Sequence, residues 1–484
     1  MTSNTISTLK FLAIAGVGLF VDGYLNVSIG LVVPMIGYLY FQDEGNTVPT
    51  VLSDVIKGSL SFGMIIGQCL FGLLGDALGR HHVYGKELIL TICGTLLVIL
   101  MPWKGFPHNS VVAWMSVFRV LTGVGTGGDY PMTSSLSAEQ NPWGSRAKLV
   151  LLLFATLGLG TRASGIVYLV LLVAFKSAME DDIYRLQWVW RPLFGIGIIP
   201  SVATLYFRLK MPETKPYEKC KFSGLSKQRI SMLTAQFRDF HAYFSQWKHA
   251  KVLFATCSTW FLFDIAFYGI NLNQSVILAQ IGYRTGDTPW TTLYNTALGN
   301  LIVSGAGFLP GYYVAIFLPD LVGRVCQQVA CCLIVTVIYA IWAGVTNHTS
   351  TGGLITLFTL SQFFLNVGPS ATTFLIPVEV FPTRVRATAH GISAASGKAG
   401  ALLAAFAFGT VKERIGLPGV LDLFAGIMFL VAILTLLIPE TKGKTLEEIE
   451  HGMLHRAEAP VPSETDGSGT DLPASKGHNE HVKD

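Results

Sequence analysis

Charge is scarce in this chain. Asp, Glu, Lys and Arg make up only 13% of the 484 residues, against about a quarter in a soluble globular protein. With 51% hydrophobic residues and a mean hydropathy of +0.50, a water-facing globule is excluded. Cysteine is also sparse. The seven (Cys69, Cys93, Cys220, Cys257, Cys326, Cys331 and Cys332) are scattered, mostly in apolar runs, which excludes a disulfide framework or a zinc site. The formal charge of +4 is too small for a nucleic-acid partner, and no basic face interleaved with aromatics exists. The short polar stretch MTSNTISTLK shows no cleavable signal pattern, so the first apolar run is expected to serve as its own insertion signal. No nucleophile, base and oxyanion arrangement and no metal-ligand cluster emerges, so neither an enzyme nor a cofactor is expected.

What remains is a series of long apolar segments, at about 11–35, 56–75, 86–103, 111–138, 148–175 and 190–209, then 252–281, 291–318, 326–345, 352–377, 389–411 and 419–438. Each spans a bilayer. They predict an all-α membrane protein with twelve transmembrane helices in two six-helix bundles; a β-barrel would alternate in shorter segments instead. The expected divisions are an N-terminus 1–10, a first bundle 11–209, a middle loop 210–250, a second bundle 251–438 and a tail 439–484. The bundles read as copies. Asp76, Gly79 and Arg80 recur as Asp320, Gly323 and Arg324; Glu139 and Arg146 recur as Glu379 and Arg386; Pro212 to Lys215 recur as Pro439 to Lys442. Duplication is how transporters build halves that rock about a central site.

Arg80, Lys86, Arg146, Lys148, Arg324, Arg384, Arg386, Lys442, Lys444 and the basic middle loop fall on one side if helices alternate, which puts both termini in the cytoplasm. The sequon at Asn347 then lies outside, where it is glycosylated, while those at Asn26 and Asn273 sit within helices. The polar tail from about 451 is expected to be disordered.

Phe118–Glu139 sets Arg119, Asp129 and Glu139 into a run of apolar and small residues. A charge at membrane depth persists only when paired, hydrated or functional. Asp129 is therefore a transport candidate, while Gly123, Gly125, Gly127 and Gly128 permit close helix packing. Arg119 is expected to pair with Asp22 or Asp129 as a gate. Asp76 and Arg80, with Asp320 and Arg324, suit a latch between the halves, as do Glu139, Arg146, Glu379 and Arg386.

The paired GDALGR and PDLVGR loops resemble those of the major facilitator superfamily. GGDYPMTSSLSAE at 127–139, STWFLFDIAFYGINLNQS at 258–275, GPSATTFLIPVEVFPTRVRATAHGISAASGKAGA at 368–401 and IPETKGKTLEEI at 438–449 look like the phosphate:proton symporter family. That resemblance implies proton-linked acids at Asp22 and Asp129, and a phosphate pocket drawing on Tyr130, Trp260, Asp264 and Tyr268. Trp260, Asp264 and Tyr268, spaced by four, also share one helical face. Burial disfavours an ionised carboxylate, so Asp264 would take its proton as the anion binds. Lys398, among small residues, is suited to meet a phosphoryl group as a point charge.

Leu157 stands where the family's fifth-helix Gln is expected, Ser370 where its tenth-helix Asn is expected, and Leu25 where a second first-helix Asp is expected. DGYLN is similar to the DGYxN of fungal glycerophosphodiester permeases. Arg162, deep in the fifth segment, adds a fork of donors suited to phosphate or carboxylate. A larger organic anion beside Leu157 and Ser370 accounts for these changes together. The expected function is proton-coupled symport of a phosphate-bearing anion, inorganic phosphate or an organic phosphate, by a monomer in the plasma membrane. The alternatives are movement of another organic anion or metabolite, in either direction, and a nutrient-sensing receptor.

Overall fold

The computed structural model describes residues 3–103, 105–139, 145–214, 229–282, 286, 288–444 and 448–449. The chain divides into Met1–Lys444 and Thr445–Asp484, and the helical bundle belongs wholly to the first unit. The expected disordered tail and the stretch 215–228 of the basic middle loop lie outside the described residues.

Among the described residues ten helices are long and apolar enough to cross a membrane. The first six crossings are α1 (Ser3–Tyr40), α2 (Thr50–Leu78), α3 (Lys86–Ile99), α4 (His108–Glu139), α5 (Arg146–Ala174) and α6 (Gln187–Leu209). The second six are α7 (Trp247–Asn271), α8 (Pro289–Val303 and Leu309–Ala315), α9 (Arg324–Val345), α10 (Thr351–Val380) and the pair α11 and α12 (together Arg386–Thr435). Two chain features explain why ten long helices make twelve crossings. In α8, Pro289–Val303 passes through a π-helical turn, Ser304–Phe308, into Leu309–Ala315. The wide turn ends just before Pro310, which has no N–H to continue the ladder. Conversely, α11 and α12 run together as Arg386–Thr435 and part only at Gly416, whose φ of 70° a side chain would resist. In α10, Thr351–Val367 and Pro369–Val380 meet at Gly368. A further helix, Arg229–Phe244, occupies the end of the expected middle loop, where Asp239 pairs with Arg384 at 2.6 Å.

Small residues set the spacing between helices. A Cβ on Gly63 or Gly67 of α2 would stand 2.1 Å from the Val120 or Val124 carbonyl of α4. Reciprocally, Gly123 and Gly127 of α4 lie against Leu60 and Met64 of α2. Without apolar solvent exclusion to drive association in lipid, this close backbone contact is what holds helices together. A similar exchange joins the halves, with Gly72 of α2 against Ala387 of α11 and Gly391 of α11 against Gln68 of α2.

The end of the bundle at which α1 begins and α12 finishes, the terminal end, carries the duplicated motifs, and their geometry is duplicated too. Gly79 and Gly323 turn the chain with φ of 100° and 96°. Arg80 pairs with Asp76 at 2.9 Å and with Glu139 at 3.0 Å; Arg324 pairs with Asp320 at 3.6 Å and with Glu379 at 2.8 Å. Thr214 and Thr441 donate hydroxyls to Glu139 and Glu379 respectively. Glu213 accepts the His81 N–H, as Glu440 accepts those of Arg324 and Val325.

These clusters also tie one half to the other. Asp76 accepts the Ala387 and Thr388 N–H groups and the Thr388 hydroxyl, so an acid of the first half caps the first turn of α11. Arg386 reaches Glu139 at 3.5 Å, and Arg80 donates to the Thr383 carbonyl. In the mirrored position Asp320 accepts from Ser145, the N-cap of α5, and meets Lys148 at 3.5 Å, with Arg146 in electrostatic range of Glu379. The expected gating residues Asp76, Arg80, Glu139, Arg146, Asp320, Arg324, Glu379 and Arg386 thus gather at one end, in two related clusters.

Candidate substrate site

Midway through the bundle α1, α4, α7, α8, α10 and α11 converge on a buried polar cluster. Lys398 of α11 is 2% exposed; its Nζ donates to the Tyr268 hydroxyl at 2.6 Å and lies 3.3 Å from Asp264 Oδ2, both on α7. The ammonium also stands over the Tyr268 ring at 4.3 Å and the Tyr130 ring at 5.5 Å. From α4, the Tyr130 hydroxyl donates to Asp22 Oδ2 of α1 at 2.7 Å, while Asn26 donates to Oδ1 at 2.7 Å. The four-residue spacing that puts Asp264 and Tyr268 on one face of α7 places Trp260 a turn nearer the terminal end. There its indole fills the space left by Gly397 and meets Phe374 and His390 edge-on.

One residue of this cluster had no signal in the chain. Tyr312, just beyond the π-helical turn of α8, hydrogen-bonds Ser370 at 3.1 Å and lies in electrostatic range of Tyr268 and Lys398. Its ring stacks edge-on against Phe154, which lies flat on Phe374.

A cavity of about 30 Å³ opens beside the cluster, away from the terminal end, with room for one or two waters. Asp22, Asn26, Leu157, Thr161, Tyr268 and Asn271 are among its walls, and Asn271 Oδ1 has no hydrogen-bond partner. Leu157 therefore borders this cavity.

Three expected site residues stand elsewhere. Asp129 belongs to a separate network, in which Arg208 of α6 pairs with it and with Glu87 of α3 at 3.3 Å. Thr133 donates to Asp129 at 3.0 Å, and Gly18 of α1 leaves the space its carboxylate fills. Arg208 is anchored by the Ile14 and Ala15 carbonyls and by the Tyr84 ring at 4.7 Å. Arg119 pairs with neither Asp22 nor Asp129, which corrects the expected gate. Ten residues along α4 separate Arg119 from Asp129, about 15 Å at 1.5 Å per residue. Arg119 lies instead among Leu25, Thr95, Val98, Thr122 and Phe194, with Nε and Nη2 unpartnered. Arg162 does not line the cavity either. It crosses from α5 to donate to the Leu301 carbonyl, against Gly305 of the π-helical turn, and so serves the contact between α5 and α8.

Sequence reasoning did not single out Arg208 and Glu87, which stand as charges at the margins of apolar runs. Among the described residues no group of acids, cysteines and histidines could hold a metal ion.

Two duplicated six-helix sets around a buried cluster of opposite charges define a secondary transporter of the major facilitator fold. The chain belongs to the family described as sugar (and other) transporter, whose profile matches residues 11–452. It is 38% identical to the inorganic phosphate transporter PHO84 of Saccharomyces cerevisiae, over 91% of this chain and 84% of that one. It is 36% identical to the repressible high-affinity phosphate permease of Neurospora crassa, over 91% and 86%. Among solved structures, the proton:xylose symporter XylE superposes with a TM-score of 0.73 at 19% identity, over 93% of this chain and 99% of that one, a likeness of fold.

Proposed function

We propose that this transporter carries a phosphate-bearing anion together with protons, and that Lys398 is the group that receives the phosphoryl oxygens. The observation that carries the reading is the sharing of one buried ammonium between Asp264 and Tyr268, with Asp22 one tyrosine away. With both acids ionised, Asp22 and Asp264 outweigh Lys398 by one negative charge, and an anion meets net repulsion in a medium of low dielectric. A proton on Asp264 releases Lys398 from its ion pair and frees its donors for the incoming oxygens. Protonation and anion binding therefore favour one another, and that mutual dependence is the coupling. The names of the two phosphate-carrying relatives point to the same substrate class.

We place the terminal end in the cytoplasm and the protein in the plasma membrane, on the basic residues gathered at that end. Asn347, exposed in the turn after α9 at the opposite end, is then open to glycosylation. The bundle works as a monomer, with 11–209 and 251–438 as the halves that rock. Uptake into proteoliposomes under an imposed inward proton gradient tests the reading. Labelled inorganic phosphate or a glycerophosphodiester is expected to accumulate; accumulation of a carboxylate alone would overturn it.

An organic phosphate is a second reading, favoured by an unpartnered acceptor on the wall of the cavity beside Asp22. Beside Leu157, the free Asn271 Oδ1 offers an acceptor to a substrate hydroxyl, while Ser370 lies behind Tyr312, to which it is hydrogen-bonded. Leu157→Gln with Ser370→Asn is expected to improve the inhibition constant of inorganic phosphate against labelled substrate by about tenfold, the worth of one or two hydrogen bonds. The same pair should weaken a glycerophosphodiester; equal effects on both ligands would exclude a role of these positions in selection.

A further inference from the structure

At the end opposite the termini a second cavity, of about 190 Å³, lies between the halves, where α2 begins and α7 and α11 finish. Its walls include Asp54 and Lys57 from α2, Asn273 from beyond α7, and Gly409, Lys412 and Glu413 from α11. Lys57 is only 7% exposed and in electrostatic range of Asp54, yet among the described residues it makes no salt bridge. Its one hydrogen-bond partner among the described residues is the neutral Asn273 Oδ1 of the other half, at 3.0 Å. A buried ammonium has three donors to satisfy, and among the described residues Asn273 takes one of them. Asp54, one turn earlier on α2 and 7% exposed, lines the same space.

We propose that this cavity is an outer receiving site for a protonated oxyanion, dihydrogen phosphate or the monoanion of a phosphate monoester, and that its occupation loosens the outer mouth. The proposal rests on the orientation and substrate class given above. A buried cation and a buried carboxylate side by side match a ligand that both accepts and donates. Phosphoryl oxygens take the other donors of Lys57, and a P–OH group donates to Asp54. An oxyanion without a proton, such as sulfate, meets the same cation but is repelled by Asp54. Because Asn273 holds Lys57 across the halves, a ligand competing for the ammonium weakens a contact that keeps α2 against the α7 and α11 side. The terminal end, with its paired clusters, stays shut meanwhile, which is the order uptake requires.

The test uses full-length protein in proteoliposomes, free of native cysteines and spin-labelled at Val51 and Ile415, exposed positions on opposite halves at this end. Asp264→Asn is included, so that the response does not depend on proton-driven transport. Inorganic phosphate is expected to widen the label distance and sulfate at the same concentration to leave it unchanged. Lys57→Gln should shift the phosphate response to at least about tenfold higher concentration, the worth of one charge-assisted hydrogen bond, while Lys57→Arg retains it. A response to phosphate unaltered by Lys57→Gln, or equal responses to phosphate and sulfate, would overturn the proposal. With Asp264 intact, Lys57→Gln should raise the KM for phosphate by a similar factor. Absence of phosphate uptake by the wild-type chain would instead count against the substrate reading alone, because the label response is measured without transport.

Discussion

Lys398→Gln is expected to weaken inorganic phosphate binding by a hundredfold or more, while Asp264→Asn spares binding and removes proton-driven accumulation. The two side chains share one buried contact of 3.3 Å, yet their loss has opposite electrostatic consequences. Removing the ammonium leaves Asp22 and Asp264 without a counter-charge at 1% and 2% exposure. Truncating one partner of a buried pair costs about 3–5 kcal/mol, and each 1.4 kcal/mol is about a factor of ten. That penalty falls on the anion directly, because the group that would meet it is gone. Asp264→Asn keeps the cation and removes the competing carboxylate, so phosphate binds at least as well as to the wild type. Counterflow then continues, whereas an imposed pH difference no longer drives accumulation. Equilibrium binding, counterflow and gradient-driven uptake, measured side by side, separate the outcomes. The double variant should be markedly non-additive, as expected for residues in direct contact. Gradient-driven accumulation by Asp264→Asn at the wild-type level would show that another acid couples the proton.

Glu139→Gln should shift the resting conformation toward opening at the terminal end. Glu139 is the shared acceptor of Arg80 and Thr214 from its own half and of Arg386 from the other. With its charge removed, two fully buried guanidinium groups lose a counterion at a contact between halves. A cost of about 3–5 kcal/mol falls on the closed arrangement, because water reaches these arginines once the halves part. A shift of that size is enough to convert a closed population of about 99% into a mainly open one. Spin labels at His82 and Lys442, exposed at this end on different halves, are expected to report a longer distance, and uptake is expected to fall by more than tenfold. Glu379→Gln, the duplicate position, should act in the same direction. An unchanged distance in both variants would reduce these clusters to support within each half.

Much of this arrangement was legible in the chain because it rests on spacing. The four-residue step from Asp264 to Tyr268 fixed a shared face, and Lys398 was a lone cation inside a run of small residues. The repeated Asp, Gly and Arg of two loops predict two related clusters, and in both the Arg pairs with the Asp four residues before it and with the Glu of the second motif. What spacing does not report is which partner a buried charge finds across a helix interface. Arg119 is expected to pair with Asp22 or Asp129, but Asp129 faces Arg208 of α6 and Asp22 faces Tyr130 of α4. Depth and a fork of donors make Arg162 a ligand candidate, but its direction depends on α8, where the Leu301 carbonyl receives it and Gly305 of the π-helical turn leaves it space. The same turn brings Tyr312 to Ser370, a meeting between helices far apart in sequence. Depth in the membrane is a property of position along the chain, whereas orientation about a helix axis is set by neighbours that one segment does not contain.

Proton movement driven by the solute is the most direct measurement of the coupling between Asp264, Lys398 and the anion. Weakly buffered proteoliposomes are prepared with no pH difference, and inorganic phosphate or a glycerophosphodiester is added outside. The wild-type chain should alkalinise the external medium as solute enters, and Asp264→Asn should leave it unchanged while still exchanging labelled solute. Entry of either solute by the wild-type chain with no accompanying change in external pH would contradict symport through this cluster.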